Sequence, residues 1–356
     1  MSRFDVAIIG AGMAGASLAA EIADAASVLI LEAEARPGYH ATGRSAAFWS
    51  ETYGGPLVQP LTSASGPLLA GFLSPRGAIH IADTAGLPPL AALAEEFAGS
   101  NVALERLDRG ALEARLPGLR PGWDDGLYEP SCADIDVAGL HASYLARARR
   151  AGAELVLDAG AARIERSASG WLINGRFAAE IVVNAAGAWA DRVAALAGER
   201  PIGIAPRRRT IAQLRVDPPV PADLPLVVDA SGRFYFKPEA GGRLWLSPHD
   251  ETPSDPCDCA PEEIDVATAI DRLQRVVDWR VAAVEHKWAG LRSFAPDRLP
   301  VYGFSGTGRG FFWCAGQGGF GIQTAPAAAA LAGRLLLGRP PGGIDPEPYL
   351  ASRFVS

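Results

Sequence analysis

Lysine is nearly absent from this chain: Lys237 and Lys287 stand alone among 33 basic residues, so arginine carries almost all of the positive charge. That bias reads as genome composition rather than function. The net charge is −7, which excludes a protein built to gather polyanions in bulk. Four cysteines, Cys132, Cys257, Cys259 and Cys314, are too few and too scattered over 356 residues for a disulfide framework, so reduced thiols are expected. Cys257-Asp258-Cys259 has no second Cys/His pair nearby and reads as structural or incidental. The five histidines, His40, His80, His141, His249 and His286, offer no metal spacing. No apolar run reaches the roughly 18 residues of a membrane span; even Ala325 to Leu337 is broken by Pro326, Gly333 and Arg334. Met1-Ser2-Arg3-Phe4-Asp5 leads straight into an apolar strand without the parts of a signal peptide, which predicts a cytoplasmic protein.

What is present is a globular composition, 49% hydrophobic and 21% charged. Its length suits about two to three domains. Val6-Ala7-Ile8-Ile9 is a continuous apolar run ending in glycines, as expected of a strand buried on both faces. Met13 to Asp24 reads as a helix and Ser27 to Leu31 as a second strand, together a βαβ unit. Glu180 to Asn184 and Phe311 to Ala315 are further buried strands, each running into glycines and a helix. Three such junctions far apart in sequence predict one parallel sheet interrupted by insertions. Within the insertions, apolar and polar residues partly alternate from Arg207 to Val216 and from Arg233 to Ser247. A turn at Glu239-Ala240-Gly241-Gly242 there predicts a hairpin, followed by a helix around Glu262 to Val277.

The expected fold is therefore α/β, or α+β overall: a Rossmann-type domain with a parallel sheet, plus a discontinuous second domain with a mixed or antiparallel sheet. The Rossmann-type domain is expected to comprise residues 1–75, 135–205 and 295–356, and the second domain 76–134 and 206–294; the motifs below make them the FAD-binding and substrate domains.

Gly10-Ala11-Gly12-Met13-Ala14-Gly15 fits GxGxxG between a strand and a helix, with Glu32 at the end of the second strand. Gly10 permits the tight turn, Gly12 lets a pyrophosphate approach the backbone, and Gly15 lets helix and strand pack closely. The helix N-terminus, including Ala14, turns its N–H groups toward the phosphates, and Glu32, followed by Ala33, can accept from ribose hydroxyls. Flavin rather than nicotinamide is indicated by Tyr39 to Ala47, where small and hydroxyl residues let the backbone approach a second flat group.

These motifs carry a family resemblance, together with Val182-Val183-Asn184-Ala185-Ala186-Gly187-Ala188-Trp189, Trp288 to Phe294, and Gly316 to Thr324. The chain resembles the D-amino-acid oxidase-like superfamily of FAD-dependent oxidoreductases over essentially its whole length. Within it, the chain looks most like bacterial D-amino-acid dehydrogenases of the D-arginine dehydrogenase type. The resemblance implies that Ala41, Thr42, Gly43, Arg44, Ser45, Ala46, Ala47 and Phe48 line the FAD pyrophosphate and isoalloxazine. It implies that Ala161 meets the adenine, that Ala186 and Gly187 border the cofactor, and that Gly318, Gly319, Phe320, Gly321, Ile322 and Gln323 wrap the pyrimidine end of the flavin. Glycines opening a helix there would set N–H groups and the helix dipole beside the flavin N1 and C2 carbonyl, where negative charge collects on reduction. No cysteine or histidine matches a flavin linkage, so non-covalent FAD is expected.

An enzyme of this class must hold the substrate carboxylate, present the Cα–H to the flavin and keep the amine neutral. Arginine's planar fork suits the first task, and the resemblance places Arg292 of Gly290-Leu291-Arg292 on a strand entering the active site. Strand periodicity puts Arg207 and Arg209 on one face and Arg208 on the other, without choosing within the pair; the matching family position is Arg209. Tyr53 and Tyr235 match tyrosines of the family pocket, and Gln317 is expected beside them.

Two departures concern specificity. Ala78 stands where arginine-preferring relatives place a glutamate, and Phe48 stands where they place a histidine. An alanine cannot pair a guanidinium, so a D-amino acid with an apolar or neutral side chain is expected. The expected reaction is oxidative deamination to a 2-oxo acid and ammonia by hydride transfer to flavin N5, with an unidentified electron acceptor. A 2-hydroxy acid or N-methyl amino acid is an alternative substrate on the same fold, and a non-catalytic or tRNA-modifying flavin module is another. The acidic composition and the lack of a basic, aromatic stripe speak against nucleic acid as a partner.

Overall fold

The computed structural model describes residues 2–306 and 310–354. The final stretch of the expected cofactor domain, 355–356, and residues 307–309 lie outside the described residues.

Strand Ser2–Ile9 lies between Val28–Leu31 and Phe177–Asn184, parallel to both, which is why its apolar residues run continuously. Phe311–Ala315 pairs in parallel beyond Phe177–Asn184, and Glu154–Val156 beyond Val28–Leu31. Antiparallel Ile164–Ser167, Gly170–Ile173 and Val301–Phe304 complete an eight-stranded sheet. Alternate side chains feed two cores. Val6, Ile8, Val28, Ile30 and Val183 meet helices Met13–Ile22, Val137–Arg150 and Ala325–Leu336 on one face. Phe4, Ala7, Ile9, Leu29, Leu31 and Val182 meet Trp171, Trp313 and the helix Ala190–Leu196 on the other. The first helix stops at Ile22, short of the expected Asp24, with Ala23 as its C-cap.

The second sheet has ten strands and is mainly antiparallel. Its hairpin, Tyr235–Glu239 with Arg243–Ser247, turns through Ala240 to Gly242. One parallel pair, Leu226–Asp229 with Ala78–Ala82, makes the sheet mixed. The longest strands, Ala205–Asp217 and Arg280–Phe294, pair antiparallel toward one end of it, beside the short edge strand Gln317–Gly318. Helix Glu263–Val276 buries Val266, Ala269, Leu273 and Val276 against this sheet, an apolar stripe at helical spacing.

A three-stranded sheet, Phe48–Trp49, Ala133–Ile135 and Leu73–Pro75, lies against the second sheet. Asp134 bolts the two together: Oδ2 accepts from Arg76 Nε and Nη2 at 2.8 and 2.6 Å, and Oδ1 from Lys237 Nζ at 2.6 Å. Lys237 is buried. Among the described residues no helix is long and apolar enough to cross a membrane.

Replacing Asp134 with Ala leaves the Lys237 ammonium buried without its carboxylate. Breaking a buried pair from one side costs about 3–5 kcal/mol. Urea unfolding should register a loss of that order, and a loss below about 1 kcal/mol would show that Lys237 re-partners freely.

Candidate active site

A cavity of about 520 Å³ runs from the carboxyl ends of the parallel strands to the second sheet. That is where ligands bind in open α/β sheets. Its first half is built by close backbone approach. Gly10 has φ 106°, and a Cβ there would sit 2.5 Å from the Ala185 carbonyl oxygen. A Cβ on Gly15 would lie 1.9 Å from the Gly10 carbonyl, so Gly15 packs inside the turn and does not line the cavity. Gly12 is different: its Cβ would meet only Thr42 Oγ1, at 3.4 Å, on the cavity side. Gly12 and Ala14, at the start of the first helix, line the space. Glu32 is buried, with Oε2 accepting from Ala11 N at 2.8 Å and Oε1 from Glu34 N at 3.1 Å. Each oxygen keeps a second lone pair for a ribose hydroxyl. His141 Nε2 contacts the Ala11 carbonyl at 2.9 Å from behind, and burial pushes its pKa down.

Ala33, Ala161, Ala186 and Gly187 also line this half, as do Ala41, Thr42 and Arg44 to Phe48. Thr42 Oγ1 accepts from Met13 N at 2.9 Å, joining the segment to the helix start. Arg44 is held by protein partners: Nη1 donates to the Cys259 and Ala289 carbonyls at 3.0 and 3.1 Å, and Nη2 pairs with Asp258. Tyr39 donates to the same Asp258 at 3.0 Å. Cys257 and Cys259, read in sequence as structural or incidental, border the cavity. Gly43 does not; it closes a tight turn in which its N–H donates to Gly38 O.

The far half holds Phe48, Tyr53, Arg209, Ile211, Tyr235, Arg292 and Gln317. Arg292 Nη1 donates to the Tyr53 hydroxyl and Nη2 to Glu251, while its Nε is buried without a partner. Arg209 is 5% exposed and donates from Nε to the Asp250 carbonyl at 2.8 Å. Burial, and then the Arg292 charge, push its pKa down. Arg207 lies outside the lining, and Arg208 points to the other face, where it pairs with Glu262 and Asp265. Phe48 packs between Tyr53 and Tyr235, with ring centroids 5.3 and 5.8 Å away. Burial raises the Tyr235 pKa. His249 meets the Tyr235 ring edge-on at 5.6 Å, and burial, with the Arg209 and Arg292 charges, depresses its pKa to about 3.

Besides Gly43, two expectations are corrected here. Ala78 is fully buried in a cluster with Ala46, Cys132, Ile211, Leu226 and Tyr235, and it does not reach the cavity. Phe320 packs against Tyr53 and Phe294 instead of facing the cavity, although Gly318, Gly319, Gly321, Ile322 and Gln323 do line it. Gly318 ends the short strand Gln317–Gly318, Gly319 and Gly321 lie in turns, and the helix itself begins later, at Ala325.

Sequence reasoning also missed two carboxylates. Glu129 is fully buried and accepts from Ser50 Oγ, Glu51 N and Thr52 Oγ1 at 2.9, 2.6 and 2.6 Å, fixing the turn that presents Tyr53. Burial alone would raise its pKa; His80 and the Thr52 and Ser50 hydroxyls outweigh that and hold it below the ordinary range. Glu251 sits on Arg292. No local pattern marks either residue. Among the described residues, no group of three or more His, Cys, Asp or Glu could hold a metal.

A glycine cradle that a side chain would fill, a buried carboxylate beside it and an elongated cavity fit FAD, and the class so defined is a flavin-dependent oxidoreductase. Residues 5–335 match the family described as FAD dependent oxidoreductase, DAO, and the chain belongs to that family. The protein uses FAD. It is 29% identical over 379 residues to a glycine oxidase of Geobacillus kaustophilus strain HTA426, covering 99% of this chain and 98% of that one. The crystal structure of glycine oxidase from Geobacillus kaustophilus superposes with a TM-score of 0.85 at 27% identity, covering 99% of both chains. L-proline dehydrogenase from P. horikoshii shares the fold, with a TM-score of 0.84 at 19% identity over 95% of each chain.

The two glycines of the cradle should separate binding from folding. Gly12→Val places its side chain in the cavity, so the protein should fold yet purify colourless. Gly15→Val drives a side chain into backbone, and both circular dichroism and flavin content should collapse. A yellow Gly12→Val protein would place the pyrophosphate elsewhere.

Proposed function

We propose that this protein oxidises the Cα–H of glycine or a small, uncharged D-amino acid to the imino acid, which water hydrolyses to the 2-oxo acid and ammonia. The observation that carries this reading is the pair of guanidiniums, the buried Arg209 and the part-buried Arg292, set with Tyr53 and Tyr235 at the end of the cavity away from the glycine cradle. The similarity to glycine oxidase over nearly the whole chain supports it. Bound FAD supplies the two-electron acceptor. Arg292 is the carboxylate clamp: its fork holds the substrate by two parallel bonds, with the buried Nε available as one donor. The Tyr53 phenol, already on Arg292, steadies that fork, and Arg209 adds positive charge from the neighbouring strand.

The same two cations disfavour an ammonium beside them and a cationic substrate side chain. With Ala78 out of the cavity, this repulsion and Phe48 are what favour uncharged side chains. The lining of this half contains no carboxylate and no imidazole among the described residues, and His249, with its pKa near 3, stays neutral across the working range. The substrate therefore has to bind with its amine already deprotonated.

Two measurements test this reading on the flavin-loaded enzyme. Arg292→Met should retain its flavin and lose about 10²–10³-fold in kcat/KM, as expected for removing the partner of a buried carboxylate. A loss below about tenfold would move the clamp to Arg209. The pH profile of kcat/KM should rise toward alkaline pH with an apparent pKa that follows the amine of whichever substrate is used. A fixed ionisation near 6–7, independent of substrate, would reveal a protein base and contradict the assignment.

A further inference from the structure

Glu251 places a carboxylate of the chain's own on the arginine that the proposed reaction needs. Its Oε1 accepts from Arg292 Nη2, both its oxygens lie within bonding distance of Arg298 Nη2, at 2.9 and 3.0 Å, and Oε1 is 3.6 Å from Arg209 Nη2. The two principal partners differ in depth: the Arg292 side chain is 13% exposed, and that of Arg298 is 52% exposed. Arg298 is fixed over the Phe294 ring, its guanidinium carbon 3.9 Å from the centroid. One carboxylate is thus shared between an inner guanidinium facing the cavity and an outer one facing solvent.

The backbone around Glu251 is held on both sides. Arg209 Nε bonds the Asp250 carbonyl, and Thr210 donates its N–H and hydroxyl to the Asp250 carboxylate at 2.7 and 3.0 Å. Thr252–Pro253 then pairs with Arg208 and Arg207. With the chain pinned before and after it, the Glu251 side chain is the part that can move, over the few ångströms that separate its two guanidiniums.

A substrate carboxylate and Glu251 are the same chemical group, and both seek Arg292. Two carboxylates on one Nη2 would repel, so the incoming one has to displace the resident one. We propose that Glu251 is an internal carboxylate that competes with the substrate for Arg292, and that Arg298 is the seat to which it withdraws when substrate binds. The inference rests on Arg292 being the substrate clamp. While Glu251 is in place, the buried Arg209 and the part-buried Arg292 do not stand uncompensated in an empty cavity. When it is displaced, the apparent affinity for substrate is the intrinsic affinity reduced by the fraction of enzyme with Arg292 free. Glu251 thereby sets specificity: a ligand without a carboxylate cannot compete with it.

The test uses flavin-loaded enzyme and acetate, which carries the carboxylate but has no amine to oxidise, with binding read from the flavin absorbance. Glu251→Gln should bind acetate about tenfold or more tightly than the natural protein, because the competitor is gone. Arg298→Met should bind it more weakly by about a similar factor, because the withdrawn carboxylate has lost its seat. The double variant should follow Glu251→Gln, since without the competitor the seat has no effect. With amino acid substrate, KM should move in the same directions while kcat stays within about threefold. Glu251→Ala provides the same comparison should glutamine disturb flavin retention. Opposite shifts in the two single variants are the signature; general damage to the site would weaken both. Equal or weaker acetate binding by both Glu251 variants makes Glu251 a support for Arg292 and overturns the proposal, leaving the proposed reaction standing. If no protein, natural or variant, binds acetate, the Arg292 clamp itself is wrong.

Discussion

The pairing of Ala205–Asp217 with Arg280–Phe294 is the constraint on which the substrate half of the cavity depends. Its register sets Arg207 opposite Arg292 and Arg209 opposite Gly290, and residues directly opposite share a face. Arg208 points the other way, where it meets the acidic start of the helix Glu263–Val276. A slip of one residue would carry Arg209 out of the cavity and put Arg208 in its place. The same ribbon serves the cofactor half. Gly290 faces Arg44, where a Cβ would lie 3.2 Å from the Arg44 Cβ, and Ser293 and Phe294 pair with Gly318 and Gln317 at the start of the glycine turns.

A chain with a net charge of −7 nevertheless builds a cationic pocket, and it does so by giving its guanidiniums carboxylate partners of the chain's own. Asp258 holds Arg44, Asp250 lies beside Arg209, Glu251 meets Arg292, and Glu262 and Asp265 take Arg208. Local arrangement rather than net charge decides what the cavity attracts. The arginines act on these carboxylates in turn: Arg298 and Arg292 hold Glu251 below the ordinary range against its burial, and Arg44 holds Asp258 down, whereas burial pushes Asp250 up.

Much of this was legible in the chain, for a definite reason. Runs of apolar residues report strands covered on both faces, as in Phe311–Ala315, whose five residues are all buried. Glycine at a left-handed or crowded position reports a turn that few other residues can make, as at Gly10. The hairpin through Gly241 and Gly242 follows from the same freedom, both residues having φ above 70°. Each of these signals acts between near neighbours. Ala78, Phe320, Glu129 and Glu251 went unread or misread because their surroundings come from distant segments: Ala78 is walled from the cavity by a cluster that includes Tyr235, and Glu129 meets Ser50 and Thr52 from 79 and 77 residues away.

The sequence by itself determined the dinucleotide cradle, the parallel sheet behind it and the second, mainly antiparallel sheet, because backbone freedom and side-chain periodicity are local properties. It also narrowed the strand arginines to Arg207 or Arg209, since alternation divides a strand into two faces without saying which positions look into a cavity. The family resemblance matched Arg209, and the tertiary structure puts Arg209 and not Arg207 in the cavity lining; only the tertiary structure withdrew Ala78 from the pocket and seated Glu251 on Arg292 across 41 residues of chain. Those outcomes are set by which faces pack together and by which buried charges must find partners, and neither is written in the spacing of residues along one strand.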